Sequence, residues 1–230
     1  MSETGIPIQA PPSVGGSRLM LAMGSVGFIA GILIVFTFQF TQPIIKANEK
    51  AFLEQSIFEV FPQTAYKKVF TPDENGVLQP VAEDAEVPYK IYACYDAHHA
   101  LTGVVLGASG QGFQDVIHLI YGYDPRQQAI VGMKVLQSTE TPGLGDKINN
   151  DPKFLSNFKH LDVRLNSAGD ALRAPVTLIK GARQNNHQIS AITGATISSR
   201  AVARMIAQSA AINIPLIYKN LKRLEEAGNE

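Results

Sequence analysis

The chain has 230 residues, 20 Lys and Arg against 20 Asp and Glu, no Trp and a single Cys, and is 45% hydrophobic. Zero formal net charge leaves no electrostatic footprint for nucleic acid. One cysteine, Cys94, excludes an intrachain disulfide, a cysteine-ligated metal cluster and a C-x-x-C haem attachment, and the length suits one domain with appendages.

Residues 1–17 are rich in Pro, Gly and Ser and read as a disordered tail. From Leu19 to Ile45 there is no Asp, Glu, Lys, Arg or His, and the apolar part, Leu19–Phe38, is long enough to cross a bilayer, which takes about 20 helical residues. The run exceeds the roughly 7–15 residues of a signal-peptide core and no A-x-A site follows, which favours a retained transmembrane helix at 18–42 over a cleaved leader. Gly27-x-x-x-Gly31 reads either as a helix-packing pair or as glycine simply tolerated in lipid. Arg18 on one side and Lys46 and Lys50 on the other balance, so flanking charge does not set the orientation. A stalk helix and linker occupy 43–70, with Ile45, Phe52, Ile57 and Phe61 patterned among polar residues until Pro62 ends the helix.

The remaining domain, 71–230, opens on a turn-rich stretch, Thr71–Pro88, with Pro72, Asn75-Gly76 and Pro80. Strand-like runs follow at Tyr89–Ala97, Leu101–Gly107, Val116–Tyr123 and Ala129–Gln137, close enough together to require antiparallel pairing. Gly107-x-x-Gly110-x-Gly112 lacks the order of a dinucleotide fingerprint and reads as a hairpin or bulge. Cys94 reads as a small buried strand residue. Asp151–Leu161 is predicted as a short helix and Pro175–Leu178 as a strand. From Ser198 the chain turns helical, with Val202, Met205, Ile206 and Ile212 on an apolar face, Ser198 or Ser199 as N-cap, and an interruption at Pro215. His98, His99, His118, His160 and His187 show no metal-ligand spacing, and no hydrolytic constellation is present. The expected fold class is α+β: an N-terminal transmembrane helix, then a mainly antiparallel sheet with flanking helices.

Two stretches carry chemistry. Ser190–Ser199 reads S-A-I-T-G-A-T-I-S-S and sets the Thr196 hydroxyl after Gly194-Ala195, at a helix start, with Thr193, Ser198 and Ser199 nearby. Gly194 permits a tight turn, Ala195 adds little bulk, and first-turn amides suit an anion. Taken alone this is also an ordinary small-residue turn. The second, Glu140–Ile148, reads E-T-P-G-L-G-D-K-I. Pro142, Gly143 and Gly145 make it a stiff loop able to bring backbone and Leu144 against a flat ring, with Lys147 supplying charge. On composition alone it is a Gly-Pro connection between strands.

Together, in this order, the two stretches resemble the signatures of the FMN-binding domain shared by G subunits of Rnf electron-transport complexes and C subunits of sodium-pumping NADH:quinone oxidoreductases. The resemblance implies FMN joined through a phosphoester to Thr196, the last threonine of T-G-A-T. Thr193, Gly194, Ala195 and Ser198 would surround it, and Glu140, Thr141, Pro142, Gly143, Leu144, Gly145 and Lys147 would lie beside the ring. Ser190 stands where the family pattern has aspartate. No His, Asp or Glu lies within the motif to activate a threonine hydroxyl, so a separate flavin transferase is expected. Total length fits the Rnf type better than the longer sodium-pump type. A sodium-pump member, an FMN-binding regulatory protein and a membrane-anchored binding module stay open as alternatives. The resemblance further implies partner subunits of a redox complex and a flavin domain on the outer, periplasmic face of a bacterial inner membrane.

Overall fold

A computed structural model describes residues 15–229, so most of the expected tail lies outside the described residues. Contacts divide the chain into two units that meet between Ala51 and Phe52. The first is most of helix α1 (Gly16–Val60). Its best 18-residue window has a mean hydropathy of 2.5, and its large side chains, such as Met20 and Phe28, are exposed. It is thus long and apolar enough to cross a bilayer. The expected anchor and stalk form one helix that runs through Pro43.

The second unit is built on a seven-stranded antiparallel sheet in the order β2-β1-β3-β4-β5-β6-β7. Its strands are β1 (Tyr66–Pro72), β2 (Leu78–Val81), β3 (Ile91–Tyr95), β4 (Leu101–Gln111), β5 (Val116–Asp124), β6 (Ala129–Gln137) and β7 (Leu161–Asp162). Alternation along β3 and β4 splits the core in two. Ile91, Ala93, Tyr95, Val104 and Leu106 face helix α3 (Thr196–Ala227). Tyr92, Cys94 and Val105 face the other way, onto Ile57 and Phe61. Because both faces are covered, β3 is buried at every position. Burial pushes the Cys94 thiol up to about 11, as expected for a structural cysteine.

On that second face, three mutually paired or neighbouring strands present glycine. Gly103 pairs with Cys94, and Gly122 pairs with both Val105 and Gly132. A Cβ on Gly103 would fall inside the Phe61 ring, and one on Gly122 would sit 2.7 Å from Phe61 Cε2. Gly103 and Gly122 therefore form a trough in the sheet into which Phe61 is pressed, with Val60 beside it over Gly122 and Gly132.

Several local expectations are corrected. The turn-rich stretch 71–88 contains β2, which pairs Pro80 with Phe70; as the edge strand, β2 tolerates a residue with no N–H to donate. Asp73 organises the preceding turn by accepting from the amides of Asn75 and Val77, both at 2.9 Å. Gly107 and Gly110 lie inside β4, whose register with β5 is unshifted from Val104 to Gln111, so the hairpin begins only at Gly112. His98 and His99 lie in the turn joining β3 to β4; His99 Nδ1 contacts the Tyr66 hydroxyl at 2.8 Å. The short helix is α2 (Pro152–Ser156), capped by the Asp151 side chain accepting from Phe154 N–H at 2.9 Å, with a 3-10 turn after it. The strand near 175–178 is β8 (Thr177–Ile179), which pairs in parallel with β9 (Gln188–Ser190) as a separate small sheet.

Helix α3 runs unbroken through Pro215. Proline there removes one helical N–H bond, but Ile214 and Ile217 are fully buried on the core face and hold the chain in line. Ile212, expected on that face, is exposed. The far end of α3 is clamped: Tyr95 Oη donates to Leu224 C=O at 2.7 Å, Lys68 Nζ to Ala227 C=O at 2.6 Å, and Tyr66 Oη to Gly228 C=O at 2.7 Å. These donors satisfy carbonyls that a helix leaves open at its C-terminus and so fix where its N-terminus lies.

Candidate functional site

The N-terminus of α3 is reached through a four-residue turn, Ile192–Ala195, closed by Ala195 N–H to Ile192 C=O at 3.1 Å. Its third residue, Gly194, has φ +85°. The loop after β6 repeats the device: Leu144 N–H bonds Thr141 C=O at 3.1 Å, with Pro142 second and Gly143 third at φ +76°. A left-handed third residue is what a type II turn requires, and proline is common at its second position. Each of the two sequence motifs is thus built on one rigid turn. A 3-10 turn, Gly145–Asn149, follows the second.

Glu140 holds the two together. Its side chain is buried; Oε1 accepts from the amides of Phe113 at 2.7 Å and Gln114 at 3.1 Å, and Oε2 accepts from Ser198 Oγ. One carboxylate thereby joins the β4–β5 hairpin, the Pro-Gly loop and the first turn of α3. Gly145 must be glycine for this: a Cβ there would fall on the Glu140 carboxylate and 2.7 Å from Ser198 Oγ. Gln114 Nε2 also donates to Thr141 Oγ1 at 2.8 Å. Glu140→Ala strands two half-buried amides and the buried Ser198 hydroxyl, and bonds to a charged acceptor contribute about 1.5–3 kcal/mol each. A loss of about 3 kcal/mol is expected in urea unfolding of the full-length protein, with Glu140→Gln costing about a third as much because it keeps an oxygen for the amides.

Around this tether lies a cleft of about 300 Å³. Thr196, half-buried, is the first residue of α3, and among the described residues no side chain caps the helix. This corrects the expected Ser cap. Ser198 is engaged by Glu140, while Ser199 Oγ accepts from Ile192 N–H at 3.1 Å and donates to Ala195 C=O at 2.9 Å. The first-turn amides therefore remain open to an anion, at the positive end of the helix dipole. The rim is apolar and exposed: Phe113 is 62% accessible, Leu144 52% and Ile197 52%. Three large apolar groups left in water around a slot suit a flat aromatic ligand.

Of the residues expected at the site, Glu140, Thr141, Leu144, Gly145, Gly194, Ala195, Thr196 and Ser198 line the cleft. Thr193 and Lys147 line a neighbouring groove instead, and Pro142 and Gly143 are exposed residues of the loop turn that line neither. Phe113 and Ile197 join the cleft without being expected there. The available signal was an aromatic residue in a glycine-bounded turn and an apolar residue among the hydroxyls of a helix start. Among the described residues no group of three His, Cys, Asp or Glu is placed to hold a metal.

Residues 112–211, which contain every residue of the cleft, match the family model of the FMN-binding domain. The chain is 29% identical to the G subunit of the ion-translocating oxidoreductase complex of Methanosarcina acetivorans, over 81% of this chain and 88% of the relative. It is 26% identical to the G subunit of the proton-translocating ferredoxin:NAD(+) oxidoreductase complex of Clostridium ljungdahlii, over 79% and 83%. Among solved structures, NqrC of Shewanella oneidensis shares the fold with a TM-score of 0.55 at 19% identity, over 73% of this chain and 87% of that one. The C subunit of the Na(+)-translocating NADH-quinone reductase of Parabacteroides distasonis does so with a TM-score of 0.50 at 20% identity, over 70% and 78%.

Proposed function

We propose that this chain, a member of the FMN-binding domain family and a homologue of the G subunits of ion-translocating oxidoreductase complexes, is the flavin-carrying electron-transfer component of a complex of Rnf type, with FMN joined through its phosphate to Thr196. The observation that carries this reading is the Thr196 hydroxyl at the first residue of α3, in a cleft walled by both motifs. The residues fit the group: a hydroxyl to esterify, uncapped helix amides for the phosphate, and Phe113, Leu144 and Ile197 for the ring. When bound, FMN supplies the redox chemistry. The protein's own part is to position and exclude water: the Pro142-Gly143 turn aims Leu144, Glu140 fixes its distance from Phe113, and α3 presents the attachment point.

Attachment needs help from outside the chain. Among the described residues no His, Asp or Glu side chain hydrogen-bonds the Thr196 hydroxyl, and the nearby carboxylate, Glu140, is spent on Phe113, Gln114 and Ser198. A threonine hydroxyl without an adjacent base is a weak nucleophile, which supports maturation by a separate flavin transferase. Full-length protein produced with such a transferase should fluoresce as a band in a denaturing gel and gain the mass of one FMN moiety. A dark band of unmodified mass, with the transferase shown active on another acceptor, contradicts the reading.

Helix α1 serves as a single-pass anchor, with the flavin domain on the periplasmic face of the bacterial inner membrane and the other subunits of the complex as partners. Its length and uncovered apolar surface support the anchor; sidedness rests on kinship, since the flanking charges balance. Carboxy-terminal fusions are expected to be active with a phosphatase that works only outside the cytoplasm and dark with a fluorescent protein that matures only inside. The reverse pattern would put Thr196 in the cytoplasm.

A further inference from the structure

Beside the cleft lies a second, larger groove of about 660 Å³ that shares no lining residue with it. The turn Ile192–Ala195 is the partition: Thr193 lines the groove, Gly194 to Thr196 line the cleft. Three cationic side chains, Lys147, Lys153 and Arg183, line this groove. Among the described residues none of the three has a carboxylate within 4.0 Å, whereas Lys67, Lys134, Arg164, Arg173 and Lys222 each do. Asp151 is also present, but its Oδ1 accepts from Phe154 N–H as the cap of α2. The surrounding sequence is unbalanced in the same sense: residues 147–204 hold nine Lys and Arg against three Asp and Glu, in a chain whose net charge is zero.

The floor is built, not a loose surface. Asn157, buried, accepts from Ser190 N–H at 3.0 Å and donates to Phe154 C=O at 2.8 Å, tying α2 to β9. Arg183 Nη1 donates to Asn157 C=O at 3.1 Å, which holds the half-buried guanidinium over that floor with its remaining donors uncommitted. The hydroxyls of Ser190 and Thr193 line the same concavity and make no hydrogen bond among the described residues. Unneutralised ammonium groups, a preset guanidinium and spare hydroxyl donors around one hollow are the recognition set for phosphate oxygens. The volume falls within the roughly 300–1,000 Å³ of small-molecule sites.

We propose that this groove binds a small phosphate-bearing ligand of nucleotide size, through Lys147, Lys153 and Arg183, at a site separate from the flavin cleft. Because the two sites share the Ile192–Ala195 turn as a wall, an occupant of the groove touches the segment that carries Thr196. The proposal does not rest on the flavin reading.

Full-length protein in neutral detergent, titrated by calorimetry at low ionic strength with inorganic pyrophosphate and with ADP, tests it. Saturable one-to-one binding of at least one probe is expected; equal affinity for both assigns the site to phosphate alone, and tighter binding of ADP assigns it to a nucleotide. Lys153→Glu and Ser190→Asp each put a carboxylate on the groove at positions that are not fully buried, and each should weaken binding at least tenfold. Thr196→Val and Leu144→Ala, in the cleft, should leave it unchanged. No saturable binding of either probe overturns the proposal, as does binding indifferent to Lys153→Glu and Ser190→Asp, or binding lost in Thr196→Val. Gel fluorescence of the same samples reports the covalent flavin independently, so failure of the groove and failure of the flavin site are told apart.

Discussion

Replacing Thr196 by valine is expected to remove all covalently held flavin while leaving the fold intact. Valine keeps the branched shape of threonine and its restricted side-chain rotamers, so the first turn of α3 and the walls of the cleft are preserved and only the hydroxyl is lost. The neighbouring hydroxyls do not substitute for it. Ser198 is committed to Glu140, Ser199 to Ile192 and Ala195, and Thr193 lines the other groove. Thr196→Ser should retain attachment, since it keeps an oxygen at the same place. The readouts are intact mass and fluorescence in a denaturing gel. Circular dichroism superimposable on the parent protein separates loss of the acceptor from loss of the fold.

The largest effect on stability is expected from Gly103→Val. Any side chain at Gly103 meets the Phe61 ring, which is 2% accessible and lies in the glycine trough of the sheet. The ring has to leave, so the cost approaches that of deleting a buried phenylalanine, about 3–5 kcal/mol. In a folded unit of this size that lowers Tm by about 10 °C. Phe61→Ala should cost a similar amount, and the double variant much less than the sum, because Phe61→Ala vacates the space that the side chain introduced by Gly103→Val occupies. Strict additivity would mean that Phe61 and Gly103 act independently and that the trough is not what seats the ring.

What could be read from the chain was chiefly what short-range chemistry writes into it. Pro142-Gly143 and Thr193-Gly194 specify their turns within four residues, and the four central strands announce themselves by β-branched and aromatic runs. The apolar stretch after Arg18 needs no partner to be recognised. What escaped depends on contacts distant in sequence. Glu140 reaches Ser198 across 58 residues, and nothing local to either marks the bond. The strand β2 was hidden by Pro72 and Pro80, whose turn-forming character is overridden at a sheet edge. Pro215 signalled a break that core burial of Ile214 and Ile217 overrules. Phe113 could be seen as an aromatic residue in a turn, but its place on the rim of the cleft follows only from Glu140 pulling the hairpin against the Pro-Gly loop.

The most direct measurement is tandem mass spectrometry of the tryptic peptide 184–200 from full-length protein matured with a flavin transferase. Cleavage after Arg183 and Arg200 isolates Ser190, Thr193, Thr196, Ser198 and Ser199 in one fragment. Fragment ions should place a single FMN moiety on Thr196, with the other four hydroxyls unmodified. A flavin mapped to Thr193 or Ser198, or to any peptide other than this one, would contradict the assignment of the cleft.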